Sequence, residues 1–212
     1  MSKKKTSSRK SGESTPRKEL ILERTLELFY RNGYATTGVQ EILDSTGLTP
    51  PTLYYHFGSK QGLGLAYLEA QDRANLELMA SLKQKGKTLK GFVRAWSTVI
   101  RRSAWRGEFI GCPFANFSRQ VPRTGDEGEA ELRSKLREIE NNQRGFLKDF
   151  LRELRDEGMI RANVDIENES RKIMVTYHGA VSMWGFAGDR KYIKSMEHDL
   201  MELAENLESE SP

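Results

Sequence analysis

The segment TGVQEILDSTGLTPPTLYYHFGSK, residues 37–60, holds two short helical patterns separated by a turn. Thr37 is a suitable N-cap for the first helix, with Gln40 as its capping-box partner, and Gly47 can adopt the left-handed conformation that the turn needs. The Thr-Pro pair that follows predicts the start of the second helix, which ends at Gly58. Two short helices joined by a tight turn are typical of the helix-turn-helix, whose second helix enters the DNA major groove.

The two faces of these helices differ in chemistry. The apolar face is spaced to pack the helices together and against the preceding helix, and it consists of Val39, Ile42, Leu43, Leu48 and Leu53. The other face of the second helix carries hydroxyls, a proline ring and an imidazole, from Thr49, Pro51, Thr52, Tyr54, Tyr55 and His56. Such groups suit phosphates, base edges and thymine methyls, and Lys60 can reach a phosphate from the next helix. A helical hairpin without a role in DNA binding is the alternative interpretation of this geometry.

The string GLTPPTLYYHFGSK, residues 47–60, closely resembles the DNA-binding signature of the TetR family of transcriptional regulators. Residues 16–68 resemble the N-terminal domain of that family throughout. The resemblance implies that Thr37 and Tyr54 lie on phosphates and that Lys60 fixes the DNA backbone. It further implies that the groove face helps to read bases, through Pro51, Thr52, Tyr55 and His56.

Positive charge is concentrated at the N-terminus. Residues 1–18 hold seven basic residues and one acidic residue, whereas residues 19–60 hold three basic and five acidic ones. We expect the basic arm to supply electrostatic affinity for DNA that the recognition segment lacks, because phosphate neutralisation drives non-specific binding. A disordered solubilising tail is the alternative.

The remaining sequence predicts further helices, with no strand and no internal repeat. Apolar residues at helical spacing place them at about 59–82, 88–105, 114–120, 129–157, 166–186 and 190–207. The pair Gln61-Gly62 departs from the family, which usually has a strong helix former there, and it weakens the first turn of its helix. We expect an all-α fold with an N-terminal three-helix helix-turn-helix DNA-binding domain and a helical ligand-binding and dimerisation domain. The expected division is a disordered basic tail at 1–14, the DNA-binding domain at 15–62 and the effector-binding and dimerisation domain at 63–208.

Over residues 63–208 the resemblance to the TetR family is one of architecture. It implies a homodimer formed through the last two long helices and a small-molecule effector pocket among the middle ones. The residues expected to line the pocket are Trp96, Ile100, Cys112, Phe114, Phe117, Phe146, Phe150 and Tyr177. Those expected at the dimer interface are Val181, Trp184, Ile193, Met196, Leu200 and Leu203, for which an intrachain core is the alternative.

Cys112 is the only cysteine, which excludes an internal disulfide and any zinc site with two or more thiolates. It stands at the start of a short helix, where backbone N–H groups and the helix dipole are expected to lower the pKa of its thiol. The Gly-Cys-Pro passage also resembles TetR-family members that sense electrophiles or oxidants. A redox-sensing or electrophile-sensing regulator acting through Cys112 is therefore one hypothesis, and a buried cysteine acting as a small apolar residue is the alternative.

Several functional classes are disfavoured. No run of roughly 18 apolar residues is present, no secretory signal is expected, and no catalytic or phosphate-loop motif occurs. The three histidines are scattered, so we expect neither a metal nor another cofactor. The sequence thus predicts a cytoplasmic, non-enzymatic homodimer that binds double-stranded DNA, a repressor released from a palindromic operator by a small-molecule effector. Activation instead of repression, or a helical adaptor that binds protein and not DNA, remain alternatives.

Overall fold

The computed structural model describes residues 16–208, and within that range the chain forms nine α-helices and no β-strand. In chain order these are α1 Pro16–Arg31, α2 Val39–Thr46, α3 Pro50–Phe57, α4 Lys60–Gly86, α5 Leu89–Trp105, α6 Pro113–Ser118, α7 Glu127–Asp156, α8 Ile166–Ala187 and α9 Lys191–Leu207. The predicted all-α fold is confirmed over this range, with helix ends shifted by a few residues. The basic tail predicted at 1–14 lies outside the described residues.

Helices α1, α2 and α3 form one unit around a small apolar core. Each contributes a side chain with no exposed surface, namely Ile21, Ile42 and Leu53. Gly47 has a φ of 66°, in the left-handed region, and its N–H donates to the Leu43 carbonyl at 2.9 Å. This closes the tight turn between α2 and α3, as the helix-turn-helix requires.

The start of α2 differs from the prediction. Gly38 is the N-cap, with no side-chain capping bond, and Gln40 donates to Asp44 at 2.7 Å instead of closing a capping box. Thr37 is completely buried, and its hydroxyl donates to the Gly33 carbonyl at 2.7 Å. A buried hydroxyl must find a partner, and for Thr37 the nearest one is this carbonyl and not the end of α2.

Helix α4 connects this unit to the rest of the molecule. Its N-cap, Ser59, accepts from the Gly62 N–H at 3.0 Å. A Cβ on Gly62 would lie 1.9 Å from the Phe57 carbonyl oxygen, so this glycine lets α3 end directly against the first turn of α4. Gly62 departs from the family pattern and would weaken an isolated helix, but the packing of α3 against α4 requires it. Helix α4 continues to Gly86, beyond its predicted end, and packs on α1, α5 and α7.

Helices α5, α7, α8 and α9 complete the helical body, and α8 and α9 pack closely on each other within the chain. This packing corrects four of the residues expected at a dimer interface. Their side chains are buried inside the single chain and cannot contact a second copy: Val181, Ile193, Met196 and Leu200. The alternating spacing in α9 is therefore intrachain core, and of the expected set only Trp184 and Leu203 keep partial exposure.

Candidate DNA-binding surface and effector cavity

The outward side of α3 is an exposed surface of polar and aromatic groups. Tyr54 is 48% exposed and Tyr55 is 72% exposed. Leu53, on the opposite side of the helix, is packed in the core and has no exposed surface. Thr49 is the N-cap of the helix, and its hydroxyl lies 3.3 Å from that of Thr52. The rings of Tyr55 and His56 are in contact, with their centroids 5.0 Å apart. The exposed surface also includes the ring of Pro51, so the predicted base-reading residues share one side of α3.

A shallow groove runs along this surface to the start of α1. It is lined by Pro16, Arg17, Pro51, Thr52, Tyr55 and His56. Arg17 belongs to the basic arm in sequence, and the structure places it beside the recognition helix, which charge counting alone does not predict. Arg17 adds a positive charge beside α3, whereas the segment 19–60 as a whole has a net negative charge.

Two residues that the resemblance places on phosphates are engaged within the protein. The Lys60 ammonium donates to the Ala35 carbonyl at 3.2 Å and lies 5.0 Å from the centre of the Tyr34 ring. Partial burial there lowers the pKa of Lys60. The buried Thr37 hydroxyl is directed to Gly33, as described above, so the expectation that Thr37 contacts a phosphate through its side chain is wrong.

A small internal cavity lies between α4, α5, α6, α7 and α8. It holds about 40 Å³ of free space, which exceeds the roughly 10–15 Å³ that a cavity needs to accommodate one water molecule. Five of the predicted pocket residues line it, namely Trp96, Cys112, Phe114, Phe146 and Tyr177. The Trp96 and Tyr177 rings stack with their centroids 4.8 Å apart and form one aromatic wall.

Three predicted pocket residues lie elsewhere in the core. Phe117 is buried against Tyr34 and Tyr67, with ring centroids 4.6 and 5.5 Å away, under the helix-turn-helix unit. Phe150 packs edge-on against Phe92 at 5.3 Å, and Ile100 is buried without lining the cavity. Each of these side chains is apolar and correctly spaced for the interior, but it turns away from the cavity.

The ionisable groups in the cavity wall favour their uncharged forms. Burial raises the pKa of the Cys112 thiol, although the Phe114 and Ala115 backbone N–H groups and a hydrogen bond from Tyr177 act in the other direction. The pKa of Tyr177 is also raised well above its usual value by burial. Burial lowers the pKa of His178. The expectation of a lowered pKa for Cys112 is thus wrong, because desolvation outweighs the short helix that the thiol caps.

The segment around α6 contacts the helix-turn-helix unit directly. The Tyr30 hydroxyl of α1 accepts from the Ile110 N–H at 2.9 Å and donates to the Gly111 carbonyl at 3.1 Å, next to Cys112. Just after α6, the Gln120 side-chain oxygen accepts from the Ala35 N–H at 2.8 Å. These contacts join the wall of the cavity to the loop and helix that support α2 and α3.

Two family models match the chain. The one described as "Bacterial regulatory proteins, tetR family" matches residues 21–67. The one described as "Tetracyclin repressor-like, C-terminal domain" matches residues 87–200, which is more than half of the chain. The chain belongs to the TetR family.

Curated relatives of this TetR-family chain match over shorter segments. It is 35% identical over 52 residues to the HTH-type transcriptional repressor ComR of Escherichia coli strain K12, covering 24% of this chain and 25% of ComR. It is 38% identical over 63 residues to the HTH-type transcriptional regulator UidR of the same strain, covering 29% of this chain and 32% of UidR. The matched segments therefore span between a quarter and a third of these relatives' own length.

Solved structures match over nearly the whole length. A TetR-family transcriptional regulator from Cytophaga hutchinsonii superposes with a TM-score of 0.80 and 18% identity, covering 94% of this chain and 100% of that chain. At this identity the likeness shows the fold, which is the TetR arrangement of an N-terminal helix-turn-helix unit and a helical body.

The cavity of this TetR-family chain also has walls that the sequence analysis missed. The apolar ones are Leu76, Met79, Pro113, Leu147 and Met174, and the polar ones are Asn75, Gln143 and His178. The sequence does contain a pattern that points to Gln143. This residue interrupts the apolar stripe of α7 between Ile139 and Leu147, which are both buried. A polar residue at an inward position of an amphipathic helix is a candidate for a site, since the interior otherwise excludes it.

Among residues 16–208, no group of three or more His, Cys, Asp or Glu side chains is placed to hold a metal ion. None of the helices in this part of the chain has the length and apolar character needed to span a membrane.

Proposed function

We propose that this TetR-family chain is a sequence-specific transcriptional regulator that binds double-stranded DNA by placing α3 in the major groove. The observation that carries the proposal is the exposure of Tyr54 and Tyr55 on a short helix whose other side is fixed in the core through Leu53. Tyr54 contacts a phosphate, and Thr49 stands at the start of the helix. The residues proposed to read bases are Pro51, Thr52, Tyr55 and His56.

Positive charge from several segments supports DNA binding. Arg17 lies in the groove beside Pro51 and Tyr55, so DNA seated on α3 passes close to its guanidinium. Lys60 stands at the end of the unit and exchanges the Ala35 carbonyl for a phosphate oxygen when DNA binds. The basic arm at residues 1–18 adds further charges that neutralise phosphates and release counterions.

A homodimer is supported by an exposed apolar side of α8. Val175 is 63% exposed, Met183 is 41% exposed and Phe186 is 88% exposed, and helical spacing places all three on one side. Gly179 lies between them on the same side, and a Cβ there would meet no atom within 4 Å. Large exposed apolar side chains in a row mark an interaction surface, and a second copy of α8 is the proposed occupant. The dimer presents two copies of α3 to a palindromic operator.

The proposed regulation is repression in the cytoplasm, relieved by a small molecule that enters the cavity. Helix α4 runs from the cavity to the helix-turn-helix unit, and the bonds from Tyr30 and Gln120 join the α6 segment to that unit. A ligand that favours a different position of this wall shifts the dimer away from its DNA-binding state. Modification of Cys112 as the trigger has less support, because a reactive thiol needs exposure and a lowered pKa.

The test is selection of DNA from a random pool by the full-length protein, followed by gel shifts at several salt concentrations. We expect an enriched palindrome, a complex with two protein chains per site, and binding that weakens steeply as salt rises. A chain lacking residues 1–14 should bind more weakly and show a flatter salt dependence. Loss of specific binding in Tyr55→Ala, with unchanged helix content, links the result to α3.

Two other outcomes contradict parts of the proposal. A protein adaptor would enrich no sequence and show no salt-sensitive specific shift. A monomer by light scattering, unchanged in Phe186→Ser, would contradict the dimer through α8. Repression is tested separately with the selected operator placed over a reporter promoter, where transcription that rises with the protein would show activation.

A further inference from the structure

The cavity wall carries no formal charge. None of the side chains that line it is a lysine, arginine, aspartate or glutamate. Its ionisable groups are Cys112, Tyr177 and His178, and burial shifts the pKa of each toward the uncharged form. A charged molecule placed here would lose its hydration without a charged side chain in the wall to pair with it, which is unfavourable in a buried site.

One polar group in the wall is incompletely hydrogen-bonded within the protein. The Gln143 side-chain Nε2 is buried and makes no hydrogen bond of normal geometry, although it lies close enough to the Asp72 carboxyl to lower the pKa of that group. The Asp72 carboxyl accepts from Asn142 at 3.1 Å through one oxygen, its Oδ1 has no hydrogen bond of normal geometry, and Asp72 does not line the cavity. A buried donor left unpaired is costly, so a bound molecule that offers an acceptor to Nε2 removes that penalty.

The remaining wall is aromatic and adaptable. The Trp96 and Tyr177 rings are stacked with their centroids 4.8 Å apart, and Phe146 is also in the wall. Two methionines, Met79 and Met174, line the same space. Because methionine is unbranched and flexible, these side chains can move apart to admit a molecule larger than the 40 Å³ that is free.

We infer that the cavity selects an uncharged, mainly apolar and aromatic molecule that carries a carbonyl-type acceptor, and that the Gln143 amide donates to this acceptor. This inference names the chemical class of the effector, and it rests on the proposed function only where release of DNA is concerned. Gln143 is the specificity-determining residue, and the ring stack supplies most of the contact area.

The experiment uses four probes of similar size and different polarity. They are acetophenone, ethylbenzene, benzoate and 1-phenylethylamine, each titrated into the full-length protein at neutral pH and followed by calorimetry and by intrinsic tryptophan fluorescence. Acetophenone should bind about fivefold to tenfold more tightly than ethylbenzene, which offers no acceptor to the buried donor. Benzoate and the protonated amine should bind more weakly than either uncharged probe.

Variants at Gln143 test the assignment. Gln143→Met keeps the length of the side chain and removes the donor, so the preference for acetophenone over ethylbenzene should disappear. Gln143→Glu places an acceptor there and should make acetophenone the weaker ligand of the pair. The matched control is Gln84→Met, on the exposed side of the same helix that carries Asn75, which should leave the preference unchanged.

The inference is overturned if either charged probe binds as tightly as acetophenone, if no probe shows saturable binding, or if the preference survives in both Gln143 variants. These measurements use free protein, so they are independent of DNA. Release from the selected operator is then measured with acetophenone. Selective binding without release would leave the ligand class standing and count against the proposed effector mechanism alone.

Discussion

The helix-turn-helix unit and the cavity place their functional residues in opposite ways. On α3 the residues that pack and the residues that face solvent lie on two sides of one eight-residue helix, with Leu53 buried and Tyr55 72% exposed. The cavity takes its walls from five helices, and most of the wall residues are apolar or aromatic like those of the core around them. Phe114 and Phe117 stand three residues apart on α6, yet only Phe114 lines the cavity. A DNA-reading surface is thus a local pattern, whereas a cavity depends on tertiary packing.

The largest effect tests the two sides of α3. Leu53→Ala removes a side chain with no exposed surface and should lower the free energy of unfolding by about 2–5 kcal/mol, through lost burial and the cavity it leaves. Tyr55→Ala on the exposed side should change stability by no more than about 0.5 kcal/mol while abolishing specific DNA binding. Urea unfolding followed by circular dichroism measures the first effect, and gel shifts measure the second.

Equal loss of stability in these two variants would mean that Tyr55 belongs to the core and that α3 has no free side. The reverse result, with full DNA binding in Tyr55→Ala, would remove the recognition role from this position.

This difference between a local pattern and tertiary packing explains which features the sequence alone predicts. The order of the helices and the turn at Gly47 follow from periodicity and glycine placement, which are local properties. Thr37 was assigned wrongly because capping and burial favour the same small hydroxyl residue, and only the packing of α1 on α2 decides between them. Met196 and Leu200 were assigned to a dimer for a similar reason, since an apolar stripe does not say which helix covers it. Gln143 is different among the cavity residues, because a polar residue within the apolar stripe of α7 is visible in the sequence.

The second prediction separates base reading from phosphate contact. Thr52→Ala should change the preferred base at one or two operator positions, by about 1–3 kcal/mol for each affected base pair. Tyr54→Phe should weaken binding to all operator variants by a similar factor, because a phosphate carries no sequence information. Competition among singly substituted operators gives both values. Uniform losses in both variants would show that α3 positions the protein on DNA without reading it at Thr52.

The third prediction concerns the link between the two regions. Tyr30→Phe removes the hydroxyl that accepts from the Ile110 N–H and donates to the Gly111 carbonyl, and it should lower stability by about 1 kcal/mol. Operator binding should persist, while release by a cavity ligand should require more ligand, because the α6 segment moves without pulling α1. Tyr192→Phe on α9 makes the same chemical change outside this contact and serves as the control. Unchanged release in Tyr30→Phe would leave α4 as the route of coupling.

The smallest expected effect depends on pH and lies where α4 meets α7 beside the cavity. Burial raises the pKa of the Asp72 carboxyl above its usual 3.8, and Glu138 adds to the shift, whereas hydrogen bonding from Asn142 and Gln143 and the charge of Lys135 oppose it. A raised pKa in the folded state means that folding favours the protonated acid. The stability that Asp72 contributes is therefore complete below pH 3.8 and is lost as the pH rises through the folded-state pKa.

Asp72→Asn removes this loss, since the amide oxygen still accepts from Asn142 and no charge is buried. The variant should be more stable than the wild type at neutral pH, and the difference should shrink as the pH falls toward 3.8. Urea unfolding of both proteins across this range measures it, with Asp199→Asn, at an exposed position of α9, as the control. If Asp72→Asn were less stable at neutral pH, the carboxylate would be stabilising the α4–α7 contact in its charged form. The contact of Gln143 with Asp72 would then be a strong one, and the carboxylate would compete with a ligand for the Gln143 amide.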